Sequence, residues 1–282
     1  MWTYSFPPEN VLRDMAAATG VTHIQQVAYD TKESSVHIAA TTRSLPDLAF
    51  PAACLQLQDL GFDKVEIWLS EATDQLRPAQ VAADPEGVAA MVREASRLTP
   101  IAVCIENDVD MHAFSQIVSF CKSLRIAQIT IEASPRGTPF NTEVDRLRER
   151  NQLCHQAGIR LSILTRNGLL SDDPHTAVEL CQSAKGLGIT LDPSHFICRP
   201  GGSVDFDVVF PSVLHVHLRD TTANELQVPA GLGEVDYNRI IAMLQQEDYD
   251  RALSVDLLPG GMQGEERLLE LRKLRLLLES LL

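Results

Sequence analysis

The sequence predicts an α/β fold, a closed (β/α)8 barrel in one domain (residues 36–282) preceded by a short N-terminal extension (residues 1–35). Three observations predict it. From Val36 onward, eight short apolar runs alternate with helix-length segments, and strict βα alternation implies parallel strands joined by helical crossovers. Within the runs, apolar and polar residues alternate with the period of two expected of a strand. The length, 282 residues, suits a single domain of this kind. An open doubly wound sheet is the alternative, but no GxGxxG follows the first strand to support it.

In chain order, PPENVLRDMAAATG reads as a short helix with Pro8 in its first turn and Gly20 as its stop. A weak strand and a polar linker complete an arm that packs on the barrel or on another subunit. The strands then read VHIAATT, KVEIWL, IAVCIEN, QITIEA, RLSILTR, ITLDPS, LHVHLRD and ALSVDLL. The helices between them are LAFPAACLQLQDLG, PEGVAAMVREASRL, DMHAFSQIVSFCKSL, TEVDRLRERNQLCHQAG, DPHTAVELCQSAKGLG and VDYNRIIAMLQQ, with a short segment at residues 204–210. GEERLLELRKLRLLLESLL closes the chain. Gly61, Gly158 and Gly188 stand where helices stop and strands begin, the expected place for C-cap glycine. The final helix has more leucines than one packing stripe needs, which makes it a candidate homo-oligomer interface or a closure across the barrel.

Composition excludes several functions. Hydrophobic residues make up 45% and charged residues 22%, the balance of a soluble globular protein with material for a large core. A net charge of −14 argues against nucleic acid as a partner, because phosphate binding needs clustered Lys and Arg. No apolar run approaches the roughly 20 residues that span a bilayer, and the N-terminus lacks the pattern of a signal peptide. The six cysteines are scattered without a CxxC and read as reduced thiols of a cytoplasmic protein.

In a barrel the wholly apolar side of each strand faces the helices, so the other side lines the interior. Alternation then places Glu66, Glu106, Glu132, Asp192, His217 and Asp256 inward near the C-terminal strand ends, the face on which such barrels keep active sites. Five converging carboxylates repel one another. A divalent cation (Mn, Co, Zn or Mg) is one remedy. Arg136, Arg166, Arg199 and Arg219, in or beside the strand-to-helix loops, are another. His215 also points inward, Asp220 is suited to bind loop amides, and SPRGTPF forms a loop over the cavity with Arg136 as its most useful group.

LGITLDPSHF, HVHLRDT, VPAGLGEVDY and ALSVDL together resemble the xylose isomerase-like TIM barrel superfamily, which includes sugar-phosphate isomerases and epimerases, inosose dehydratase, ketose 3-epimerases and the endonuclease IV group. The resemblance implies a divalent metal held by a Glu ending strand 5, the Asp of DxxH, the second His of HxH and a Glu ending strand 8. Asp192 and His217 match as ligands and His195 matches the substrate-contacting histidine. Asp256 stands at the strand 8 position, one methylene short. Leu164 stands at the strand 5 position, where it can neither ligate nor move a proton. In the family the two Glu residues are also the acid/base pair of proton abstraction beside a carbonyl. Glu132, ending the adjacent strand, is the residue placed to supply the missing carboxylate. The alternative is weakened or lost metal binding.

The expected set is therefore Asp256, His195 and Glu132 as catalytic residues and Asp192, His217, Asp256 and Glu132 around a metal. Glu66, Glu106, Arg136, Arg166, Arg219 and His215 are the expected contacts to a small carbohydrate-like substrate. The implied activity is metal-dependent isomerisation or epimerisation of a small sugar, polyol or sugar phosphate. A dehydratase on the same scaffold and a non-catalytic carbohydrate-binding barrel are the alternatives.

Overall fold

A computed structural model describes residues 36–282, and the expected N-terminal arm lies outside them. The described residues contain the strands β1 (His37–Thr41), β2 (Lys64–Leu69), β3 (Thr99–Ile105), β4 (Gln128–Glu132), β5 (Arg160–Leu164), β6 (Gly188–Leu191), β7 (Val213–Leu218) and β8 (Ala252–Val255). Each pairs in parallel with the next, and β8 returns to β1 to close the barrel. The helices are α1 (Phe50–Asp59), α2 (Pro78–Ala83), α3 (Pro85–Ala95), α4 (Met111–Ser123), α5 (Phe140–Gln156), α6 (Pro174–Ser183), α7 (Ser194–Ile197), α8 (Tyr237–Gln246) and α9 (Gly264–Leu281).

The alternation of the strands sorts the core into two regions. Val65, Ile67 and Leu69 of β2, Val103 and Ile105 of β3, Ile189 and Leu191 of β6, and Leu253 and Val255 of β8 all join the core between sheet and helices. The opposite faces fill the interior differently. Trp68, Cys104 and Leu164 form a small apolar cluster of their own. Below the strand ends, hydroxyls bond to one another: Thr130 Oγ1 to Thr190 Oγ1 at 2.8 Å and Ser162 Oγ to Thr190 Oγ1 at 2.6 Å. The C-terminal end of the interior is ionic.

Local chemistry explains where helices start. Asp84, Asp110, Asp173 and Asp236 each precede a helix and accept from the backbone N–H three residues on, at 2.8–2.9 Å. Proline occupies the first turn of α1, α2, α3 and α6. α2 and α7 are additions to the helices expected from sequence, being too short for helical periodicity to declare itself.

One glycine assignment changes. The left-handed backbone after α6 belongs to Gly186 (φ 93°), whereas Gly188 is a residue of β6. Gly188 is required for space: a Cβ there would lie 2.3 Å from Leu214 Cγ. α9 buries Leu271, Leu274 and Leu278 while Leu269 and Leu276 stay half exposed, and it packs on β1, β8 and α8. Much of its leucine content thus closes the barrel. Among the described residues no helix is long and apolar enough to cross a membrane, and all six cysteines are free.

Candidate functional site

Alternation along β7 and its continuation aims His215, His217 and Arg219 into the barrel, one above the other, and all three are almost completely buried. Glu66 on β2 meets the two histidines. Its Oε2 lies 2.8 Å from His215 Nε2, and its Oε1 lies 2.9 Å from His217 Nε2. His215 also reaches Ser254 Oγ at 3.1 Å. Burial alone would lift the Glu66 carboxyl, but the two imidazoles outweigh it and hold the group far below the carboxylate range. Burial likewise disfavours a charged His217, yet Glu66 beside it wins and raises its pKa. This trio is an internal ion cluster.

Above it, Arg219 spans two carboxylates that follow β6 and β8. Its Nη1 and Nη2 donate to Asp192 Oδ2 at 2.6 and 2.5 Å, and Nη2 lies 3.2 Å from Asp256 Oδ2. Ser194 Oγ donates to Asp192 Oδ1 at 2.5 Å and accepts from Arg219 Nη1 at 2.9 Å. Asp256 is claimed by a second guanidinium: Arg43 Nε donates to Oδ1 at 2.6 Å and Nη2 to Oδ2, while Thr41 adds a bond to Oδ1 at 2.7 Å. Burial opposes the Asp256 charge, but Arg43 first, then His217 and Arg219, keep it ionised far below the ordinary range. With His217 protonated, Glu66, Asp192 and Asp256 face Arg43, Arg219 and His217, and the buried charges balance.

A second polar group stands beside this floor, and in it Glu106, Glu132 and Arg166 are partly exposed while Trp68 and His195 are buried. Arg43 lies flat on the Trp68 indole, 3.5 Å from its centroid. Arg166 ion-pairs with Glu132 Oε1 and stands 3.8 Å from Glu106 Oε1, and Glu106 also accepts from Trp68 Nε1 at 3.4 Å. His195, on α7, accepts at Nδ1 from the Asn167 amide at 3.4 Å and turns Nε2 toward Asp192 Oδ2 at 3.7 Å. Burial lowers its pKa to about 4, so the ring is neutral at pH 7.

Several expected positions differ from what the fold builds. Glu66, His215 and Arg219 sit in the buried floor and satisfy one another or Asp192, which leaves them no surface for substrate. Asp256 is no free base, because both of its oxygens are held by cations. Arg136 is drawn away to Asp172 at 2.5 Å and is largely exposed, and Arg199 bonds the Asp172 carbonyl. Glu132 is held by Arg166 and stands outside both groups of converging ligand atoms described below. Asp220 binds the Gly231 and Gly233 amides at 2.8 and 3.0 Å, shaping the loop after β7. Arg43 was missed, although its signal was present. It lies just past β1 in a short 3-10 turn, Thr42–Ser44, and its place directly after the first strand was the signal.

Among the described residues, two groups have ligand atoms within 4.8 Å of one another: Glu66, His215 and His217, and Asp192, His217 and Asp256. A divalent ion does not fit either as the side chains stand. The first is closed by its own hydrogen bonds. In the second, Arg219 and Arg43 already engage the carboxylate oxygens an ion would need, and Leu164 adds no oxygen from β5. Unit charges 4 Å apart interact by about 4 kcal/mol at an effective dielectric near 20, so a dication here would be opposed strongly by two guanidinium groups.

Solved structures share this fold at low sequence identity. A xylose isomerase-like TIM barrel protein from Mycobacterium smegmatis, in complex with magnesium, has a TM-score of 0.70 and 15% identity, with 88% of this chain and 98% of that one covered. L-ribulose 3-epimerase has a TM-score of 0.66 and 15% identity over 87% and 95% of the two chains. The probable 3-DHS dehydratase AsbF from Bacillus anthracis, involved in petrobactin synthesis, has a TM-score of 0.65 and 16% identity over 85% and 99%. No curated protein matches by sequence. The family described as xylose isomerase-like TIM barrel matches residues 54–275, well over half of the chain, and the protein belongs to that family.

Proposed function

We propose that the protein moves a proton next to a carbonyl in a small polyhydroxylated substrate, as an isomerase or epimerase, with the substrate seated over Arg43 and Trp68. The observation that carries this reading is a convergence of polar groups. A partly exposed carboxylate, Glu132, a buried neutral imidazole, His195, and two guanidinium groups, Arg43 and Arg166, gather at the C-terminal ends of the strands. Arg166 engages Glu132 Oε1, and Oε2 is the atom assigned to receive the proton. N–H groups of Arg43 and Arg166 stabilise the negative charge that then develops on the carbonyl oxygen, and the Nε2–H of His195 orients a hydroxyl. The epimerases and the dehydratase among the structural relatives support a substrate of this class.

A second reading, binding of a carbohydrate-like ligand without turnover, is favoured by Leu164, which puts a hydrocarbon where the family places a catalytic carboxylate. Incubating the protein with a panel of ketoses, aldoses and their phosphates in D2O separates the two. Deuterium appearing at the carbon beside the carbonyl, and a loss of about 100-fold or more in Glu132→Gln, support proton transfer. Saturable binding without exchange supports the second reading. Neither binding nor exchange across the panel removes both.

A further inference from the structure

We infer that Arg219 is a built-in cation standing where the family's architecture holds a divalent ion, and that its guanidinium hides a latent metal site made by Asp192, His217 and Asp256. The inference rests on which atoms meet. Asp192 Oδ2 receives both terminal nitrogens of Arg219, at 2.6 and 2.5 Å, and Asp256 Oδ2 lies 3.2 Å from one of them. Ligand atoms of these carboxylates and of His217 lie within 4.8 Å of one another. The guanidinium thus uses the lone pairs that a metal would use, and it cannot be displaced to solvent because its side chain is fully buried.

Two further features belong to the same rearrangement. The fourth expected ligand position is Leu164, which packs against Trp68 and Cys104 in place of offering an oxygen. The other carboxylate ligand, Asp256, has a second guanidinium, Arg43, across both of its oxygens. Two nitrogens of the cluster, Arg219 Nε and His217 Nδ1, are nevertheless left without a partner among the described residues. His217 Nδ1 is buried without a hydrogen-bond partner, 3.7 Å from Asp256 Oδ2. A buried ring nitrogen beside the Asp256 carboxylate, in a group whose ligand atoms lie within 4.8 Å of one another, is the residue of a coordination geometry, and Arg219, with Arg43 on Asp256, closes it. Cation chemistry is therefore preserved in sign and replaced in kind: a fixed guanidinium has planar N–H donors and no open coordination position for a substrate oxygen.

The test is direct metal binding by the full chain. After dialysis against a chelator, the wild-type protein is titrated with Mn2+, Co2+, Zn2+ and Mg2+ by calorimetry and thermal unfolding. The expected result is no stoichiometric binding and a Tm change below about 1 °C at millimolar ion. One equivalent bound with micromolar affinity by the wild type overturns the inference. Arg219→Ala, made alone and together with Arg43→Ala so that Asp256 is freed as well, is expected to gain one site, at least about tenfold tighter than any wild-type binding, with the visible Co2+ spectrum of a nitrogen-and-oxygen ligand set. If Arg219→Ala does not fold in chelator, any of the four ions is expected to restore it in refolding buffer. A folded variant that gains no affinity, or an unfolded one that no ion rescues, overturns the inference. None of these readouts depends on the reaction proposed above.

Discussion

His195 shows how one side chain ties the site to pH. Burial lowers its pKa from 6.5 to about 4, so the unfolded chain binds the proton first as pH falls. Its contribution to stability is therefore complete above pH 6.5 and is lost between pH 6.5 and about 4, amounting to about 3 kcal/mol at most. Glu66 and Asp256, held low by their cationic partners, lose theirs only at still lower pH. His195→Gln should flatten the acid limb of stability above pH 4 and leave the limb below it, as read from urea midpoints across pH. Asp256 is a heavily committed carboxylate, shared by two guanidinium groups. Replacing it by Ala strands Arg43, whose only ion pair among the described residues it is, and leaves Arg219 with Asp192 and Ser194. The expected loss is about 3–5 kcal/mol in denaturant unfolding, and Arg43→Ala in the same background should add much less than it does alone.

At the level of elements, β7 and the loop that follows it do the most. One strand delivers His215, His217 and Arg219 inward by alternation, then turns at Asp220, whose carboxylate gathers the Gly231 and Gly233 amides. Gly233 tolerates no side chain: a Cβ would fall 1.9 Å from Asp220 Oδ1. Gly233→Ala should therefore push Asp220 off these amides and destabilise the protein by about 1–3 kcal/mol. Thermal unfolding of this variant beside Asp220→Asn checks the link, since the two losses should be far from additive. The strands themselves were legible in sequence because a two-residue period survives in short runs. α2 and α7 were not, because one or two turns carry too few residues to show a period.

At the level of the whole molecule, closing eight strands brings residues from β1, β2, β6, β7 and β8 into one ionic floor, with β5 contributing only hydrocarbon. Leu164→Glu tests that division. A carboxylate there would be packed against Trp68 and Cys104 with no cation assigned to it, so its charged form is disfavoured. The variant should lose about 2–4 kcal/mol near neutral pH, and the gap to wild type should narrow as pH falls and the new carboxyl protonates. A gap that is constant from pH 5 to pH 8 would mean that the glutamate has found a cation.

Alternation alone settled the barrel and put Glu66, Glu106, Glu132, Asp192, His217 and Asp256 on its inner side, because the side on which a strand residue points is a local property. The oddity of Leu164 came from the family resemblance, which implies a Glu at that position. Which charge neutralises which was decided only by the closed barrel. Arg43 reaches Asp256 from a turn after β1, more than two hundred residues away in sequence, Arg219 after β7 bridges the residues that follow β6 and β8, and Glu66 is taken up by two histidines across the interior. Ion pairing depends on distances of a few ångströms between groups remote in sequence, and no period in the chain encodes them.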